Sequence, residues 1–254
     1  MRISALASGS SGNCFYVENE KTAVLIDVGI SCKQVVQRIE KVNGDLKKIK
    51  AIFITHEHTD HIKGAGLFAR KFNVPIYATK RTIKNSFLVG HEKANEIRNN
   101  ETINLGEMKI EAFSKMHDAS DPVSYNIWNG KKISIITDIG KVCKNVIENV
   151  ADSDFLCFEA NHDLGMLETG PYPAHIKQRI KGDYGHLSNF HSGVCVLEHA
   201  TPKLKHVVLA HLSKVNNTPL SALTTFSNLI QERKDLNIKV GLSYREKPTE
   251  LFKI

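Results

Sequence analysis

The chain has 254 residues, 41% of them hydrophobic, 24% charged and 7% aromatic, with 34 Lys and Arg against 27 Asp and Glu for a formal net charge of +7. These values exclude a disordered, collagenous or coiled-coil polymer, and the length is ample for a sizeable buried core. No apolar run approaches the ~18 residues needed to cross a bilayer, the first residues lack a signal-peptide apolar segment, and five scattered cysteines with no CxxC pair argue against a disulfide framework, so a cytoplasmic protein with no membrane association is expected.

In chain order, Arg2–Ala7, Cys14–Val17 and Thr22–Asp27 read as strands, the first two separated by the Gly/Ser loop Ser8–Asn13. Ser31 is suited to cap a helix whose apolar positions Val35, Val36, Ile39 and Val42 recur at helical spacing. Ala51–Thr55 is a compact buried strand, Ile62–Phe72 a helix, and Val74–Tyr77 a strand that Pro75 assigns to a sheet edge. Lys109–Lys115, Val123–Trp128 and Lys132–Thr137 form a run of strands, with Asn129-Gly130 as the hairpin turn between the last two. A helix at Val142–Val150, a strand at Asp154–Phe158, helices at Pro173–Ile180 and Leu187–His199, a strand at His206–Ala210, a helix at Leu220–Glu232 and a final short strand or two complete the chain. With no flexible linker and no internal repeat, the expectation is a single domain over residues 1–254, an α/β sandwich of two sheets with helices outside.

The chemistry concentrates in Thr55-His56-Glu57-His58-Thr59-Asp60-His61, directly after a strand. Three imidazoles and the Asp60 carboxylate in so short a stretch offer each other no core-type pairing, so burial alone does not explain them. Nitrogen and oxygen donors of this kind suit Zn²⁺, Mn²⁺ or Fe²⁺. Strand alternation directs His56 and His58 the same way, and a following turn redirects Asp60 and His61. Taken singly, His117 or His211 reads as a structural histidine, and Asp138, two residues before Gly140, as a turn former.

The His56, His58, Asp60, His61 pattern resembles the HxHxDH signature of the metallo-β-lactamase superfamily, and the rest of that pattern follows in order. Asp27, after Ala23–Ile26, matches its first acidic position; His117, Asp138 and His211 match its later ligands. The resemblance implies an αββα metallo-β-lactamase sandwich and two divalent metal ions. His56, His58 and His117 would hold one ion, Asp60, His61 and His211 the other, with Asp138 bridging and Asp27 orienting from behind. Two such ions ~3.5–4 Å apart make water a nucleophile at neutral pH and neutralise phosphoryl charge. Two-zinc β-lactamases carry Cys where Asp138 stands and no ligand at His61, which leaves thioesters or phosphoesters as substrates.

Two further segments favour phosphoesters. Glu159-Ala160-Asn161-His162 is similar to the acidic-histidine motif of the tRNA-maturing and ribonuclease J-type branches, and Gly185-His186-Leu187-Ser188 to their Gly-His-Ser/Ala-Ser motif. The resemblance implies that His162 and His186 hold the scissile phosphate or protonate the leaving oxygen, with Asp60, a ligand, counted in the catalytic set. His186 also precedes a helix expected to begin near Leu187, whose free N–H groups suit a phosphate. Ser10, Ser11 and Asn13 of the Gly/Ser loop, and Ser188, are further candidate phosphate contacts; the loop reads equally as a plain turn.

Only 47 residues separate Asp138 from His186, too few for an inserted β-CASP domain. The compact combination of Ser8–Asn13, His56–His61, Glu159–Asp163 with Gly170-Pro171-Tyr172-Pro173, and Gly185–Asn189 resembles the YycJ/WalJ family. That resemblance implies a metal-dependent 5′→3′ exonuclease on DNA, connected with mismatch repair. Alternatives are a small-molecule hydrolase (a cyclic phosphodiesterase or thioesterase), an RNA-directed nuclease, or a non-catalytic DNA-binding protein that kept the fold.

Residues 1–170 hold 22 Lys/Arg against 21 Asp/Glu, and residues 171–254 hold 12 against 6, so the basic excess lies in the last third. Lys177, Arg179, Lys181 and the pair Lys203 and Lys205 are candidates to track a nucleic-acid backbone. Phe15, Tyr16, Trp128 and Tyr184 are candidates to stack on bases.

Overall fold

A computed structural model describes residues 1–254, which form two compact units. The first comprises 1–114, 119–131 and 244–254, and the second 115–118 and 132–243.

The first unit opens with strands β1 (Arg2–Ala7), β2 (Cys14–Glu18) and β3 (Ala23–Ile26), an antiparallel meander. Helix α1 (Cys32–Lys41) starts where the sequence places it. Ser31 accepts the Gln34 N–H while the Gln34 side chain accepts the Ser31 N–H, a reciprocal capping box. Its buried face, Cys32, Val35 and Ile39, follows helical spacing.

A short 3-10 turn (Leu46–Lys48) leads into β4 (Ile49–Phe53), which pairs in parallel with β3 and, on its other side, with β5 (Ile76–Ala78). Burial on both faces explains its near-continuous apolar run. The helix expected at 62–72 begins at Ala65 (α3, Ala65–Phe72) and is preceded by a separate short helix α2 (Thr59–Ile62); between them the Gly64 N–H bonds to the Val28 carbonyl. Helix α4 (Lys80–Lys84) and β6 (Ala94–Glu96) follow. Because β6 pairs with β5, β5 is not an edge strand; Pro75 sits just outside it, and its carbonyl accepts the Ile52 N–H.

An antiparallel ladder β7 (Thr102–Leu105), β8 (Met108–Ser114) and β9 (Val123–Asn129) completes this part, and Gly130, at φ 71°, makes the expected turn after β9.

The second unit is built on four parallel strands, β10 (Lys131–Ile136), β11 (Phe155–Glu159), β12 (His206–Ala210) and β13 (Lys239–Leu242), neighbours in chain order. Helices α5 (Lys144–Asp152), α6 (Leu164–Thr169), α7 (Ala174–Lys181), α8 (Asn189–His199) and α9 (Pro219–Ile230) make the crossovers that parallel pairing requires. The chain then returns to the first unit, where β14 (Phe252–Lys253) adds to the free edge of β1 and gives the order β14-β1-β2-β3-β4-β5-β6. The core of this unit runs from Leu6, Tyr16 and Leu25 through Ile52 and Ile54 to Val35, Ile39 and Phe68. No helix is long and apolar enough to cross a membrane.

Candidate metal centre

In the first unit the donors follow β4. The strand ends at Phe53, so His56 and His58 lie in the turn beyond it and do not share a strand face as expected from alternation. Their convergence comes from the turn itself: His56 Nε2 and His58 Nδ1 are 3.0 Å apart, with His58 in extended conformation at the start of α2.

Behind them stands Asp27, in the left-handed region at φ 59°. Its Oδ1 accepts the Thr55 N–H at 2.8 Å, its Oδ2 accepts the Thr55 hydroxyl at 2.9 Å, and the same Oδ2 lies 2.7 Å from His61 Nδ1. This carboxylate assigns the His61 proton to Nδ1 and leaves Nε2 as the donor atom, a carboxylate–histidine arrangement typical of metal sites. Thr55 Oγ1 likewise lies 2.9 Å from His56 Nδ1, so His56 also presents Nε2.

The Gly/Ser loop closes over this cluster. The Asn13 N–H donates to the Asp60 carbonyl at 2.7 Å, and the Asn13 amide nitrogen lies 3.0 Å from His61 Nε2 and 3.3 Å from Asp60 Oδ2. Gly29 is required at this crossing, because a Cβ there would come within 1.6 Å of the Asp60 carbonyl oxygen. Asn13 is buried and holds Asp60 and His61, whereas Ser10 and Ser11 are exposed at the loop tip. Glu57 points elsewhere, accepting from the Ser120 N–H at 2.7 Å.

In the second unit the C-terminal ends of β10, β11 and β12, in parallel register, deliver Asp138, Glu159 and His211. Asp138 (φ 55°) and His211 (φ 56°) are both left-handed. Glu159 is fully buried at the centre. Its Oε1 lies 2.8 Å from His186 Nδ1 and 3.1 Å from His211 Nδ1, while Oε2 accepts the N–H groups of Ile139 at 2.8 Å and Leu187 at 3.2 Å. Burial by itself would raise its pKa, but the charge of His186 and hydrogen bonds from His186 and His211 hold it down at about 2, so it stays ionised.

His211 Nε2 stands 3.4 Å from Asp138 Oδ1, and Asn161 donates to the His211 carbonyl at 2.9 Å. His117 directs Nδ1 at the Gly185 carbonyl (3.2 Å) and turns Nε2 toward Asp138 Oδ1 (4.0 Å); burial lowers its pKa to about 4 and keeps it a neutral donor. Gly140 is needed where this loop meets residues 183–185, since a Cβ would lie 2.4 Å from the Asp183 carbonyl. Ligand atoms of Asp138, Glu159, His186 and His211 all fall within 4.8 Å of one another. In each unit by itself, this nitrogen and oxygen donor chemistry fits a divalent metal ion.

His186 is partly exposed, its Nδ1 held by Glu159, while His162 is buried, its pKa pushed down to about 4 by burial, and its Nδ1 has no protein partner. The expected helix start at Leu187 is corrected to Asn189. The Leu187 N–H belongs to Glu159, and Ser188 is the N-cap, its hydroxyl accepting the His191 N–H at 3.1 Å. Ser188 is thus buried and already engaged in capping. Glu159 joins the site beyond the residues expected from sequence; its position directly after the apolar run Phe155–Phe158 is the signal that marks it.

The basic candidates all have partners. Arg179 and Lys181 pair with Asp118 and Glu168, Lys177 donates to the Glu168 carbonyl, and Lys203 and Lys205 bond Asp152 and the Pro202 carbonyl. Of the stacking candidates, Phe15 and Tyr16 are in the core, while Tyr184 is exposed.

The metallo-beta-lactamase superfamily profile matches residues 7–127. The chain is 34% identical to exodeoxyribonuclease YycJ of Bacillus anthracis over 92% of its own length and 90% of that protein. It is 36% identical to exodeoxyribonuclease WalJ of Streptococcus pneumoniae over 96% and 92%. Among solved structures, the metallo-beta-lactamase fold protein YhfI of Bacillus subtilis superposes with a TM-score of 0.73 at 16% identity, covering 98% of each chain, which shows the fold, α/β with two sheets. Similarity of this extent to YycJ and WalJ, with the superfamily's histidine signature in place, means that the chain belongs to their family within the metallo-beta-lactamase superfamily.

Proposed function

We propose that this protein is a metal-dependent 5′→3′ exodeoxyribonuclease of the cytoplasm, serving DNA repair of the mismatch type. The observation that carries the hydrolytic reading is Glu159, a buried carboxylate tied to His211 and to the partly exposed His186. DNA as substrate, and the exonucleolytic mode, are supported by the printed activity of YycJ and WalJ. Four passages of the chain between its two compact units support reading residues 1–254 as one hydrolase domain.

His56, His58, Asp60 and His61 of the first unit, with His117, Asp138 and His211 of the second, are proposed as ligands to two divalent ions (Zn²⁺, Mn²⁺ or Fe²⁺). When bound, these supply the Lewis acidity that activates water and neutralises phosphoryl charge. The protein's own groups do the rest. Asp27 and Glu159 orient the imidazoles of His61 and His211. Glu159 also holds His186 by its Nδ1, and we assign the His186 Nε2–H to the leaving oxygen. His162, kept neutral by burial, is assigned to binding and not to proton donation. Asn13 steadies Asp60, and Ser10 and Ser11 at the exposed loop tip are the remaining candidate phosphate contacts.

The test is digestion of 5′- and 3′-labelled single- and double-stranded DNA and RNA with Mn²⁺. DNA should shorten from the 5′ end, and chelation or His58→Ala should abolish this. Shortening from the 3′ end, or turnover of S-lactoylglutathione with no cutting of DNA, would overturn the reading.

A further inference from the structure

The second unit contains a cavity of about 450 Å³ next to α8, with His162 and His186 in its wall. Its size falls within the ~300–1,000 Å³ of small-ligand pockets, room for one nucleoside and not for a duplex. Val142, Leu187 and Val194 supply an apolar wall.

The charges around it cancel. The wall holds two lysines, Lys141 and Lys181, and two carboxylates, Asp183 and Glu198; Lys141 is paired with Asp183 at 2.8 Å, and Lys181 is held by Glu168 outside the wall. A pocket so compensated does not favour a bare phosphate, but it accommodates an uncharged, flat, hydrogen-bonding group. His162 is the buried polar group of this wall: it is 2% exposed, it lines the cavity, and its Nδ1 has no partner in the protein. His186, held by Glu159, stands in the same wall.

We propose that this cavity receives the nucleoside, base and sugar together, of the terminal nucleotide being removed, with its departing 3′ oxygen at His186. The proposal rests on the nuclease reading above and adds a consequence that reading lacks. Ends should be distinguished by whether they carry a base, and the released nucleoside monophosphate should bind the free protein.

Val194→Trp, on the partly exposed face of α8, adds bulk to the cavity wall. Calorimetry with thymidine monophosphate, on metal-free and Mn²⁺-loaded protein, should show binding to the wild type that weakens about tenfold or more in the variant, the weak end of what seating one base contributes. In cleavage assays the wild type should prefer a base-bearing end over an abasic end by about tenfold. Val194→Trp should bring the ratio of the two cleavage rates close to one. Equal cleavage of both ends by the wild type, or unchanged nucleotide binding in Val194→Trp, overturns the pocket while leaving the nuclease reading standing. Nucleotide binding lost in the variant, with no DNA cleavage by either protein, overturns the nuclease reading and not the pocket. Glu198→Trp, on an exposed turn of α8, repeats the test should Val194→Trp lose its cooperative melting transition.

Discussion

Asp27, Asp138 and His211 each end a strand in the left-handed backbone region, a conformation that costs most L-residues about 1–2 kcal/mol and is least unfavourable for Asn, Asp and His. Three strained residues at strand ends, each bonded to or facing a histidine or carboxylate, mark where stability is yielded for geometry. Asp27→Asn separates the two effects, because Asn tolerates the same backbone but no longer carries the charge facing His61 Nδ1. Metal titration should show affinity reduced about 10–100-fold, while the metal-free variant melts within a few degrees of the wild type. Unchanged affinity would remove Asp27 from its positioning role.

At the scale of elements, capping decides where helices begin and so where the histidines stand. Ser188 starts α8 two residues later than apolar periodicity suggests, which frees the Leu187 N–H for Glu159. Asp163 caps α6: its Oδ1 accepts the Met166 N–H at 2.9 Å and its Oδ2 the Ser221 hydroxyl at 2.8 Å. The backbone hydrogen bond from Met166, against a smaller opposing effect of burial and with help from Ser221, lowers the Asp163 pKa below its ordinary 3.8. The unfolded chain therefore takes up the proton first. The cap contributes fully above that ordinary value and is lost as the pH falls through the lowered folded value. Asp163→Ala should cost about 1 kcal/mol at neutral pH, and the difference should shrink toward zero below about pH 3. Denaturant titrations at the two pH values check this; an equal difference at both would exclude an ionised cap.

For the whole molecule, the +7 charge does not by itself lay out a track for a polyanion. The cations of the last third that looked suited to follow a phosphate backbone are already bonded within the protein, several to carboxylates. Affinity for DNA should therefore fall only modestly with salt, with a slope of log K against log salt no steeper than about −3, corresponding to about three neutralised phosphates. A slope steeper than about −6, measured by fluorescence anisotropy across salt concentrations, would show a broad cationic track instead.

The sequence by itself determined the family, the α/β class and most of the longer elements, because apolar periodicity and the His56–His61 stretch are local patterns. It misplaced β5 as an edge strand and started the 62–72 helix three residues before α3 begins, since neither the presence of β6 nor the bond from Gly64 to Val28 is written near those residues. It left Glu159 out of the site and could not rank His162 against His186. Those roles depend on which side chains meet after residues 27 to 52 positions apart come together: Glu159 with His186 and with His211. The left-handed turns at Asp27, Asp138 and His211 were equally hidden. Residue type gave the donors; only the strand register and the burial of one shared carboxylate decided where each imidazole points, because a hydrogen bond needs a partner within about 3 Å and chain order does not encode that distance.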